Sequence, residues 1–258
     1  MNYWCAFNTD LIETFTPYLE FYEAYRPEAE GIATRYVERH NPEALDSEGD
    51  NGWAIGVGST PYVISRPGGH SGPGTGGFTA KLLWDRYAFT QDTAYLREVG
   101  YPALLDMSKF LSKTLRPAED GKLLADPSAS PEVRVEDSNG EFRGPHYVTV
   151  GTTFDQAFIW ETYNDLLTAA DILDADDPFL DVVRDQIDKL DPILIGASGQ
   201  IKEYREENAY ADIGDPHHRH ISHLCPLFPG TLINANRPDW MEAAAVTPLN
   251  AAVPVAMS

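Results

Sequence analysis

The sequence is short of cysteine, of lysine and of long apolar runs. Only two cysteines occur, Cys5 and Cys225. One distant pair is no disulfide framework, and without a CxxC there is no thiolate knuckle for a metal, so both read as buried thiols. Six lysines (Lys81, Lys109, Lys113, Lys122, Lys189, Lys202) stand among 19 basic residues, against 40 Asp and Glu, for a formal charge of −21. No basic patch stands out along the chain. Nucleic acid and anionic membrane are therefore excluded as partners, because binding phosphate needs clustered Lys and Arg. No apolar run is long enough to span a bilayer. No basic region followed by an apolar run opens the chain, so no signal peptide is expected and the location defaults to cytoplasmic. Neither a GxxxxGK[ST] loop nor a GxGxxG between strand and helix is present, and there is no GxSxG elbow. Neither a metal nor any other cofactor is expected.

Excess acid with scarce lysine fits two readings alike: adaptation to high salt, where self-repulsion is screened, or an ordinary acidic protein. At 43% hydrophobic and 11% aromatic, the 258 residues can bury a sizeable core.

Apolar spacing predicts a chain of helices. Residues 9–39 are helical, with Pro17 and Pro27 splitting them into shorter pieces. Further helices cover 78–91, 94–115 with an interruption at Gly100–Pro102, 153–173, and 179–190. A last short one begins near Pro238. The 153–173 segment is the most amphipathic, with Thr152 or Thr153 as cap and Asp155 at its positive end. Short links (90–93, 174–178) alternate with long loops (40–77, 116–151, 191–237). Antiparallel helix pairs put all the short links at one end and all the long loops at the other. The predicted fold is all-α, a toroid or part of one, with its long loops on one rim. The Gly-rich run RPGGHSGPGTGG in the first loop reads as a surface loop with tight backbone approaches.

Loops on a rigid scaffold commonly carry function. In LLADPSASPE (Leu123–Glu132), Pro127 and Pro131 break any helix, and Ser128 and Ser130 add turn chemistry. Pro131 restrains the backbone beside Glu132, and a restrained backbone fixes where a side chain points. Glu132 is the candidate general acid; the plain alternative is one more surface carboxylate. In HHRHISH (His217–His223), Arg219 puts a positive charge at the centre, which argues against a metal. The cluster is either a donor-rich patch for sugar hydroxyls or a structural knot of backbone-bonded histidines. Among the aromatics, Trp84 and Trp160 read as packing, and Trp4 and Trp53 are open to a role at a sugar face.

The ordered segments MNYW (Met1–Trp4), LLWDRYAFTQD (Leu82–Asp92), YPALLDMSKF, PSASPE, TFDQAFIWE, PILIGASGQIKEY and HRHISHLCPLFPG (His218–Gly230) resemble glycoside hydrolase family 95. Its members are inverting α-L-fucosidases and related α-L-galactosidases. The resemblance runs from residue 1 to about Val246 and implies a partial (α/α)6 catalytic domain over 1–246. Residues 247–258 are then an irregular tail outside the fold. It implies Glu132 as general acid, with Trp4, Gln200, Glu203, His218, His220 and His223 near the sugar of a fucosylated oligosaccharide or polysaccharide. The family's Asn-x-Asn pair before MNYW and its downstream Asp-Gly-Asn-Phe-Gly, which position and activate the attacking water, have no counterpart here. GTGGFT (74–79) replaces a Trp-rich segment, and Asp85 stands where Glu is usual. The expectation is a truncated hydrolase, weak or inactive alone. A carbohydrate-binding module without turnover, or another toroid enzyme such as a polysaccharide lyase, is the alternative.

Overall fold

The computed structural model describes residues 3–215 and 217–252. Among the described residues the regular structure is helical apart from one two-stranded hairpin. Its helices are α1 (Trp4–Asn8), α2 (Thr16–His40), α3 (Gly74–Thr90), α4 (Thr93–Tyr95), α5 (Tyr101–Ser112), α6 (Thr153–Leu173), α7 (Phe179–Ile187) and α8 (Pro238–Ala252). Strands β1 (Leu115–Pro117) and β2 (Leu123–Ala125) pair antiparallel, Leu115 opposite Ala125. Among the described residues no helix is long and apolar enough to cross a membrane.

Contacts between helices fix their directions. Gly74 N–H donates to Asp155 Oδ1 (2.7 Å), Gly77 lies against Phe158 and Thr162, and Lys81 Nζ reaches Asp165 (2.9 Å). Both numberings rise together, so α3 and α6 run parallel. Tyr95, entering the next helix, donates its hydroxyl to Leu83 O near the end of α3 (2.9 Å), and Met107 of α5 packs on Gly76. Hence α5 runs antiparallel to both. The end of α2 meets the end of α5 where Asn41 Nδ2 donates to Lys113 O (2.8 Å). The starts of α3 and α6 and the ends of α2 and α5 therefore share one side, and the three long loops gather there. Parallel neighbours backed by an antiparallel partner are the arrangement expected of part of an (α/α)6 toroid.

The main core lies between α2, α3, α5, α6 and α7, with Trp53, Phe110, Leu104 and Tyr163 fully enclosed. A smaller core joins the outer side of α6 to Ile193, Ile201, Leu232, Ala243 and Ala244. Glu161 of α6 is buried, accepts from Leu232 N–H (2.8 Å), and so pins the 222–233 loop onto the helix.

Several expectations are corrected. Pro27 lies inside α2 without dividing it. The missing N–H is offset by the buried face of Tyr22, Tyr25, Ala29, Ile32 and Ala33. Pro17 sits in the first turn, where no donor is lost. The interruption near Gly100 is a π-helical turn, Leu96–Gly100, that leads into α5 without a loop. The Gly-rich run is not all surface loop, because α3 already begins at Gly74 and buries Gly74, Gly76 and Gly77. A Cβ on Gly77 would lie 2.6 Å from Phe158 O, so only glycine lets α3 approach α6 this closely. Trp53 has no site role: it is fully buried and donates Nε1–H to Ala103 O (2.9 Å). The boundary expected at 246 falls within α8, where Thr247 is buried and accepts from Ile201 N–H (3.3 Å). Residues 253–258 of the expected tail lie outside the described residues.

Candidate active site

Thr152 caps α6 by accepting from Asp155 N–H (3.4 Å). Asp155 itself turns inward and is wholly buried. Its Oδ1 accepts from Gly74 N–H (2.7 Å), and its Oδ2 from Ser128 Oγ–H (2.5 Å) and Ala129 N–H (3.2 Å). Burial drives its pKa up to about 7 even though these hydrogen bonds favour the charged form. Ala129 O in turn accepts from Gly72 N–H (2.9 Å). The PSASPE loop is thus held to the starts of both α3 and α6.

Its next residues point to the His loop. Ser130 Oγ–H donates to Glu203 Oε1. Pro131 O accepts from Ser222 Oγ–H (3.0 Å), and Glu132 N–H donates to His218 Nε2 (3.4 Å). The Glu132 carboxylate pairs with Arg219, and His220 Nε2 lies 3.8 Å from Oε2. The Glu132 side chain is 23% exposed, while that of Arg219 is 65% exposed. Glu203 is half-buried, its side chain 16% exposed, with His223 Nδ1 3.6 Å from its Oε2. Burial alone would raise the Glu203 pKa. His223, the Ser130 hydroxyl and His218 outweigh burial and hold the carboxyl below its ordinary range. Burial, and then His220, keep His218 toward its neutral form.

Of the residues expected near a sugar, the structure brings Glu132, Glu203, His218, His220 and His223 together. Gln200 stands apart: it is fully buried, lies against Gly196 in its own turn, and accepts from Ser198 Oγ–H (2.6 Å). Trp4 is half-buried and packs edge-on against Phe78 and Phe228, at 5.5 and 5.1 Å. Among the described residues no three His, Cys, Asp or Glu side chains gather as a metal site requires.

A cleft of about 990 Å³ opens beside Glu132 and runs along the C-terminal half of α2. It is within the size range of small-ligand sites. One restrained carboxyl lining such a cleft, with His218 and His220 beside it, suits proton transfer to a departing oxygen.

The model of the glycosyl hydrolase family 95 catalytic domain matches residues 1–251. The chain belongs to this family. Over 256 residues it is 30% identical to Alpha-L-fucosidase 2 of Arabidopsis thaliana, a match covering 96% of this chain and 28% of that protein. It is 34% identical over 170 residues to Probable alpha-fucosidase A of Aspergillus niger, covering 63% of this chain and 20% of the relative. The Aspergillus oryzae protein of the same name is 31% identical over 133 residues, half of this chain and 17% of its own. The match of this family 95 chain thus spans between 17% and 28% of the length of these relatives.

Sequence reasoning missed Arg219 as the partner of Glu132 and Asp155 as the anchor of its loop. The Thr152-x-x-Asp155 pattern signalled a helix start, which is correct. Nothing local says that the aspartate reaches across to Gly74 and Ser128.

Proposed function

We propose that this chain carries the acid half of a glycoside hydrolase that cleaves α-L-fucosidic, or related α-L-galactosidic, bonds with inversion. The observation that carries it is Glu132, restrained by the PSASPE loop and held against His218, Arg219 and His220 at the mouth of a cleft. Membership of the family supports the reaction class, and the names of the relatives favour the sugar.

Inverting hydrolysis needs an acid on one face of the sugar and a base that activates water on the other, roughly 6.5–9.5 Å away. Glu132 protonates the departing glycosidic oxygen. Arg219 occupies one of its oxygens and must swing aside first, which its exposure permits. His218 and His220 donate to sugar hydroxyls. Glu203, held charged from beneath, fixes Ser130 and with it the direction of the Ser130–Glu132 segment. The water-activating motifs that the family resemblance implies are not among these 258 residues, so the chain alone turns over weakly or not at all.

An aryl α-L-fucoside assay on this chain, and on a protein extended to the length of its relatives, tests the proposal. Hydrolysis by the extended protein alone is expected. Full activity of the short chain contradicts the need for a partner segment. Inactivity of both contradicts the hydrolase reading.

A further inference from the structure

The cleft beside Glu132 has a charge opposite to that of the chain. Arg35 and Arg39, one turn apart on α2, line it together with Arg66 from the following loop. Two carboxylates also line it, and both are engaged: Glu28 with Arg35 at 2.8 Å, and Glu132 with Arg219. Asp126 lies close enough to act on His40 and Tyr36. Arg39 and Arg66 are exposed, and their guanidiniums form no ion pair or hydrogen bond among the described residues. Their combined field is felt at His40, whose pKa is lowered by burial first, and then by Arg39 and Arg66. With 40 acidic side chains in the chain, two guanidiniums lining the cleft are still left without a carboxylate, and so are open to an outside anion. No basic patch is visible along the sequence because positions 35, 39 and 66 come together only in the fold.

We propose that this cleft binds an anionic segment of the glycan: near the cleaved sugar the substrate carries an oxyanion, a sulfate ester or a carboxylate, which Arg39 and Arg66 grip. A guanidinium fork matches either group with paired charge-assisted hydrogen bonds. The overall charge of −21 repels a long polyanion, whereas single oxyanions on a neutral sugar chain enter a locally positive groove without that penalty. The proposal rests on Glu132 marking the point of cleavage.

The test is calorimetric binding of this chain to three oligosaccharides of equal length: neutral fucosylated, sulfated, and uronate-bearing. The sulfated or the uronate form, or both, binds roughly tenfold or more tighter than the neutral one at low salt. Added salt shrinks that advantage. Arg39→Gln with Arg66→Gln abolishes the preference. Lys at both positions restores part of it, and matched urea midpoints show that all variants are folded. Equal binding of the three, no binding of any, or a preference that survives the double Gln variant overturns the proposal. Glu132→Gln retains the preference. If the extended protein fails to hydrolyse fucosides while the charge preference stands, the hydrolase reading falls and the anion site remains.

Discussion

Asp155 Oδ1 accepts the backbone N–H of Gly74 at 2.7 Å, across 81 positions of sequence. Through its other oxygen the same buried carboxylate holds Ser128 and Ala129. One group therefore ties the first turns of α3 and α6 to the loop that ends in Glu132.

Asp155→Asn puts an amide N–H₂ against donors on one side. One buried donor is left unpaired, at about 1–3 kcal/mol. Urea unfolding should show a loss of that order, and the extended protein should lose turnover beyond what its folded fraction explains. Unchanged stability would mean that the loop is held elsewhere.

The same residue gives a pH dependence. Burial raises the Asp155 pKa to about 7, that of Asp165 to about 7, and that of Asp85 to about 6. Unfolded aspartate titrates near roughly 3.9. A raised folded pKa gives stability that is full below the unfolded value and is lost as pH rises through the folded one. Glu203 works oppositely: its stabilisation is present above its unfolded value and is lost as pH falls through its lowered folded value. His40, His146 and His218, whose pKa values burial lowers, act in the opposite sense over the lower part of this range. The readout is therefore the difference: as pH rises from about 5 to about 8, the urea midpoint should fall relative to that of Asp155→Asn. A difference that does not change with pH would contradict the Asp155 assignment.

Lys81 is buried between Glu161 Oε2 at 3.1 Å and Asp165 Oδ2 at 2.9 Å. Lys81→Met leaves both carboxylates without their cation, at about 3–5 kcal/mol. Because Glu161 also pins Thr231 and Leu232, protease cutting within 222–233 should accelerate. A stability change under about 1 kcal/mol, the range of an exposed pair, would refute the burial argument.

Gly77→Ala places a Cβ 2.6 Å from Phe158 O and 2.7 Å from Thr162 Oγ1. The helices must separate, at about 1–3 kcal/mol. Gly68 has open space around its Cβ direction, and Gly68→Ala should change stability by less than about 0.5 kcal/mol. Equal costs at the two positions would deny the close approach of α3 to α6.

The helices and the rim were legible because periodicity and loop length are local quantities. Short links at 91–92 and 174–178 and long loops elsewhere already imply that Glu132 and the histidines share a side. Four features were not legible. Pro27 is a breaker by propensity, and the buried tyrosine-rich face of α2 overrides it. Gly74–Gly77 has the composition of a loop, and its helical state depends on α6 lying alongside. Arg219 and Glu132 are 87 residues apart, so their pairing is a product of the fold alone. The β1–β2 hairpin is three residues a strand, too short for a pattern to declare itself.

The most direct measurement is the rate of the extended protein on α-L-fucosides with good and poor leaving groups, with Glu132 and with Glu132→Gln. Loss of a general acid should slow the poor leaving groups by roughly 10²–10⁴-fold, and the activated aryl fucosides far less. An equal change for both, or none, would remove Glu132 as the proton donor.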